Sequence, residues 1–216
     1  MGMDSLLRKR IGREEFDYLA LMSALADYAN PRDKARSLMK KGVIIRIKKG
    51  LYVFGDEFRL RPYSRELLAN LIYGPSALSL DSALALHGMI PERVETVTSV
   101  TPKRPKRFTT PVGVFVYRQV PPAYFPLGVT RVETGDAAYL IAVPERALAD
   151  KVRDDRGNQL RSLDDMAAYL LDNLRIETED LRRLDPDLLA KLGEVAGSAK
   201  IALCARFLRN LRSRHA

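Results

Sequence analysis

The spacing of apolar positions changes period once, sharply, between Pro31 and Phe54. Wound at about 3.6 residues per turn, Ala35, Leu38 and Met39 share one side, while Asp33, Arg36, Ser37 and Lys40 fall opposite. After Gly42 the period becomes two. Val43, Ile45 and Ile47 alternate with Ile44, Arg46 and Lys48, and Leu51-Tyr52-Val53-Phe54 returns after Lys48-Lys49-Gly50. The pattern predicts a short helix, a glycine stop and a two-stranded ribbon. Asn30 is placed to cap the helix, and Pro31 suits its first position. Gly42 stands where a left-handed residue ends a helix, and Lys40 and Lys41 lie where the dipole favours cations.

Upstream, a short helix is expected over Asp4–Arg10 and a longer one over Arg13–Ala29. The second is apolar almost all round and is therefore expected to be buried. Asp56–Pro62 reads as a linker. Ser64 then caps a helix running to Tyr73, broken by Gly74-Pro75. Ser79 caps another that ends at His87-Gly88. Strands are expected over Val94–Thr101, Val112–Val120, Gly128–Glu133 and Ala138–Val143, the last two joined by Thr134-Gly135-Asp136. Pro144 opens a helix to Val152. Further helices follow over Leu163–Leu174, Thr178–Leu184, Pro186–Val195 and Ala199–Arg214, expected to pack on the sheet. The fold class is α+β: a winged helix-turn-helix over residues 1–61, then an α+β effector unit over residues 62–216 with a mostly antiparallel sheet and C-terminal helices.

Charge sharpens this division. Arg32, Lys34, Arg36, Lys40, Lys41, Arg46, Lys48 and Lys49 stand against the single acid Asp33. The net charge of +9 divides as +6 over residues 1–61, +3 over 62–153 and zero over 154–216. A basic helix and ribbon of this kind is the electrostatic footprint of an element that meets nucleic-acid phosphates. The candidate contacts with DNA are those eight cations together with Asp33 and Ser37. A second basic cluster, Lys103, Arg104, Lys106 and Arg107, is set between prolines and is expected to form an extended loop between strands. It reads either as a second phosphate-contacting or partner-docking arm or as a solvated hairpin tip.

The chain lacks the glycine-rich phosphate loops, the paired cysteines and the HExxH spacing that would point to nucleotide or metal chemistry. It holds two histidines: His87, read as an exposed cap or a buried hydrogen-bonding residue, and His215, expected to fray. Glu145, Asp150, Asp154 and Asp155 interleave with Arg146, Lys151 and Arg153, which reads as a solvated helix face. The expectation is therefore no enzyme, no metal and no cofactor. A single cysteine, Cys204, and the absence of a long apolar run or secretory leader fit a cytoplasmic protein. Gly2 lacks the context of a myristoylation motif.

The string NPRDKARSLMKKGVIIRIKKGLYVFG resembles the winged-helix start of the AbiEi family, the antitoxins of type IV (abortive-infection) toxin–antitoxin systems. GPSALSLDSALALHGMIPERVETVTSVTPKR and DAAYLIAVPERALADKV are similar to that family's second domain. The resemblance spans roughly residues 13–155. It implies double-stranded DNA, the protein's own operator, as one partner, with autorepression by the N-terminal unit. It implies antagonism of a nucleotidyltransferase toxin by the second unit, without need of a stable complex. A homodimer or cooperative binding on DNA, and no membrane, complete the expectation. The alternatives are a transcription regulator whose second domain senses a ligand or dimerises, and a nuclease placed on DNA by its winged helix.

Overall fold

The computed structural model describes residues 3–135 and 137–213; Gly2, Asp136, Arg214 and His215 lie outside the described residues. The chain starts with α1 (Met3–Ile11), β1 (Glu15–Asp17), α2 (Tyr18–Ala24) and α3 (Pro31–Lys40), followed by the ribbon β2 (Ile44–Lys48) and β3 (Leu51–Phe54). Here the structure corrects the expected Arg13–Ala29 helix. Glu15, Phe16 and Asp17 instead pair antiparallel with Val53, Tyr52 and Leu51, making a three-stranded sheet in the order β1-β3-β2. Phe16 sits against the rings of Tyr52 and Phe54, at centroid distances of 6.1 and 4.9 Å. The Asp17 carboxylate accepts the Ala20 N–H at 2.8 Å, so the helix starts two residues beyond Phe16. Nor is that helix buried all round, since Leu19 is 75% exposed.

At α3 the expectations fare better. Ala35 and Leu38 are buried, and Met39 packs against the same small core. Gly42 ends the helix at φ +71°, with the Val43 N–H returning to the Leu38 carbonyl at 3.0 Å. Asn30 departs from its expected role. Its side chain makes no capping bond, and only its backbone carbonyl serves the helix, accepting the Lys34 N–H at 3.0 Å.

The ribbon is apolar on both faces. Ile44, Tyr52 and Phe54 close a small core with Leu21, Leu25 and Leu38. Ile47, Leu51 and Val53 point the other way, into the core of the rest of the chain. The segment expected to be a linker is fastened down. Glu14, 1% exposed, accepts the Leu60 and Arg61 N–H groups at 3.1 and 3.2 Å and pairs with Arg8. Glu15 accepts the Ser64 N–H.

The remainder runs α4 (Arg65–Ile72), β4 (Ala77–Leu78), α5 (Leu80–Leu86), β5 (Val97–Thr101), β6 (Lys106–Thr110), β7 (Gly113–Gln119), β8 (Val129–Thr134), β9 (Ala137–Ala142) and α6 (Pro144–Asp154). After these come α7 (Leu163–Ala167), continued by a π-helical stretch over Ala168–Asn173, then α8 (Thr178–Arg183), α9 (Pro186–Ala196) and α10 (Ala199–Ser213). Six strands form one mixed sheet in the order β6-β7-β5-β4-β9-β8. The β6–β7, β4–β5 and β8–β9 pairs are antiparallel, and β5–β7 and β4–β9 are parallel. The protein is thus α+β, with N-terminal helices and strands, a mixed sheet and C-terminal helices. Two strands escape a period-two reading: β4 has two residues, and β6 carries the basic cluster into the sheet edge. Lys106 and Arg107 pair opposite Tyr117 and Val116, so Pro105 does not hold them out of the sheet as expected.

Helix α6 lies between the sheet and the C-terminal helices α9 and α10. The expectation of a solvated charged face fails there. Arg146 and Asp150 are 0% and 3% exposed and paired at 3.0 Å. The Arg146 guanidinium also donates to the carbonyls of Tyr124, Phe125 and Leu127 and lies 3.7 Å from the Tyr124 ring centroid. It thereby gathers the Pro121–Gly128 connection onto α6. Gly128, at φ +64°, comes so close that an added Cβ would stand 2.8 Å from the Arg146 Cβ. The Ser79 hydroxyl joins this network, donating to Asp150 Oδ2 at 2.6 Å instead of capping α5. His87 combines the two expected roles: half-buried at the end of α5, its Nε2 lies 2.8 Å from the Ala142 carbonyl.

Candidate nucleic-acid interface

The outward face of α3 follows from its inward one. With Ala35 and Leu38 turned into the core, Arg32, Asp33, Arg36, Ser37, Lys40 and Lys41 are exposed. Arg36 Nη1 contacts Asp33 Oδ1 at 3.1 Å across the surface, with 78% and 67% of the two side chains exposed. A pair so solvated is weak, so the guanidinium can exchange its partner for a phosphate or a base edge at little cost. Lys34 occupies the flank, its ammonium 4.8 Å from the Tyr28 ring centroid.

The ribbon divides its cations between two places. Arg46 is exposed and shares its strand face with Ile44, hence with α3. A bulge between Arg46 and Lys48 then shifts the register. Lys48 Nζ donates to the Ile72 carbonyl at 2.5 Å. Ile72 is the last residue of α4, where unpaired carbonyls and the helix dipole both attract a cation. Lys49 remains exposed at the tip, before Gly50 at φ +85°.

The second basic cluster comes to the same spot. Lys103 Nζ donates to the Gly74 carbonyl at 2.6 Å, just beyond α4. The ammonium groups of Lys103 and Lys106 lie 5.6 and 5.7 Å from the Tyr73 ring centroid, and the Tyr73 hydroxyl donates to the Arg104 carbonyl at 3.3 Å. Burial, then the nearby Lys103 and Lys106 charges, hold the Lys48 amine below its ordinary range. The structure therefore brings Lys48, Lys103 and Lys106 together around the end of α4. Arg104 and Arg107 are exposed beside them, and the α3 cations form a separate surface. Tyr73, the hub of this cluster, gave no sequence signal beyond ending a helix.

No protein-family model matches the chain, and no curated protein matches it. Among the described residues no three His, Cys, Asp or Glu side chains converge as metal ligands. No helix of the described residues is long and apolar enough to cross a membrane. What the α3 surface offers is a ridge of donors, with the hairpin tip beside it.

Proposed function

We propose that this protein is a DNA-binding antitoxin of a type IV toxin–antitoxin system. In this reading the N-terminal unit is a winged helix that binds and represses its own operon, and the α+β unit antagonises a nucleotidyltransferase toxin. One observation carries the DNA half. The helix α3 turns its apolar side into a closed core and leaves Arg32, Arg36, Ser37, Lys40 and Lys41 in solvent, followed directly by a glycine stop and a hairpin. Such a helix presents guanidinium and hydroxyl groups at the spacing a major groove reads, and the hairpin tip meets the flanking backbone. The antitoxin half rests on the family resemblance of the NPRDKARSLMKKGVIIRIKKGLYVFG and GPSALSLDSALALHG strings. A single module reads few bases, so two copies on a repeated site are expected.

The test has two arms. Fluorescence anisotropy on the region upstream of the gene measures specific binding; equal affinity for that region and for random duplex would refute the repressor. Growth rescue from a co-expressed neighbouring nucleotidyltransferase measures antagonism; full operator binding with no rescue would leave a plain regulator. That second reading, a regulator whose α+β unit senses a ligand, is favoured by one feature: a cleft rich in arginine on that unit.

A further inference from the structure

Between the end of β7, the Pro121-Pro122 corner and the last turn of α6 lies a cleft of about 460 Å³. Arg118, Arg153 and Arg156 line it, with Asp154 as its one acid. Arg118 is engaged by Asp154 at 3.1 Å. The other two side chains differ. Among the described residues, neither Arg153 nor Arg156 makes an ion pair or a side-chain hydrogen bond. On the helices that follow, by contrast, Arg182 is matched with Glu179 and Arg183 with Asp180. Arg153 is moreover half-buried, a position in which an unmatched guanidinium is held beside protein rather than free in water.

We propose that this cleft binds a small phosphate-bearing ligand of mononucleotide size. Three guanidinium groups against one carboxylate leave two positive charges in excess. Guanidinium forks match phosphate oxygens in bidentate geometry, and arginine favours that pairing over lysine. The volume falls within the range of small-molecule sites. Pro121 and Pro122 also line the cleft, stiff enough to keep its shape and apolar enough to accept the flat face of a base. The comparison with the other cleft of similar volume is direct. That one, at the junction with the N-terminal unit, has the acids Glu15 and Glu66 in its wall and offers an anion no comparable excess of charge. The proposal goes beyond the antitoxin reading and does not depend on it.

The experiment is calorimetric titration of the full chain with ATP, adenosine, inorganic phosphate and a short random duplex, at fixed moderate salt. ATP is expected to bind one to one, adenosine not to bind, and phosphate to compete with ATP. The double variant Arg153→Gln/Arg156→Gln should weaken ATP binding by at least about tenfold, since each guanidinium supplies charge-assisted hydrogen bonds. Its melting temperature without ligand should stay close to that of the wild type, because neither side chain makes a described ion pair or hydrogen bond. Arg156→Gln alone, at an exposed position, gives the same direction of change if the double variant folds poorly. Absence of ATP binding, or binding of equal strength in both variants, would overturn the proposal. So would a double variant that loses duplex affinity while ATP binds neither protein, which would assign the cleft to DNA.

Discussion

Helices α3 and α6 are both short, both amphipathic and both dense in charge, yet their charges have opposite fates. On α3 the polar side faces water, and its one described ion pair, Arg36 with Asp33, is loose and exposed. On α6 the pair Arg146 and Asp150, also one turn apart, is buried and tied to Ser79 and to three backbone carbonyls. The difference lies in how many sides are covered. A helix packed on one side can leave its polar face in solvent. Where a helix lies between a sheet and further helices, a charge turned to a covered side must find its partners inside. Charge on the polar face of α3 is thereby available for a ligand, and the Arg146–Asp150 pair of α6 is part of the architecture.

The contrast can be broken most forcefully at Arg146. Arg146→Ala leaves the Asp150 carboxylate buried without its cation and frees three carbonyls, and should cost about 3–5 kcal/mol in urea unfolding. A loss below about 1 kcal/mol, the level of a surface pair, would place this ion pair with that of α3. Next in size is Leu51→Ala on the ribbon face that enters the larger core, expected to cost about 2–4 kcal/mol. The same packing predicts that a fragment starting at Tyr63 unfolds at lower denaturant than the full chain, because Ile47, Leu51 and Val53 leave its core. Equal midpoints would mean that the ribbon contributes nothing there.

On the α3 side, Arg36→Ala should leave stability unchanged and cost about 1–3 kcal/mol of binding to the preferred DNA site. Lys49→Ala should reduce the slope of log K against log salt by about one unit, and Lys48→Ala by less, since the Lys48 ammonium is engaged with Ile72. A Lys48 effect as large as that of Lys49 would show that the ammonium leaves α4 when DNA binds. The smallest expected effect concerns Cys204, whose thiol burial pushes up to about 12. An unfolded thiol titrates near about 8.5. Between these values the native state keeps a proton that the unfolded state has lost, so stability falls as pH rises above about 8.5. Cys204→Ala should flatten that part of the stability profile; an unchanged slope would assign it to other groups.

Much of α3 was legible because its causes are local. Proline at the first turn, apolar residues at positions 35, 38 and 39, and a left-handed glycine act within one helix. The strand β1 was not legible, because Glu15-Phe16-Asp17 takes its conformation from pairing with residues some 35 positions away, which overrides an apolar pattern that reads equally well as helix. Ser64 kept its expected capping role, its hydroxyl accepting the Leu67 N–H at 3.0 Å, whereas Ser79, equally suited by type, was drawn away by Asp150. Substituting Ser64 by Ala should therefore cost about 1 kcal/mol, a purely local loss.

By itself the sequence determined the α+β class, the polar face of α3, the glycine stop before the ribbon and the concentration of positive charge in the first 61 residues. Each of these depends on residue type and near-neighbour spacing. Only the tertiary structure decided that the ribbon is buried on both faces and that Lys48 turns to the end of α4 beside Lys103 and Lys106. It alone decided that Arg146 and Asp150 lie inside, and that Arg118, Arg153 and Arg156 share a cleft. The physical reason is common to all four. A charged or apolar side chain carries its chemistry in the sequence, but whether water, a carbonyl or another charge answers it depends on which distant elements fold against it.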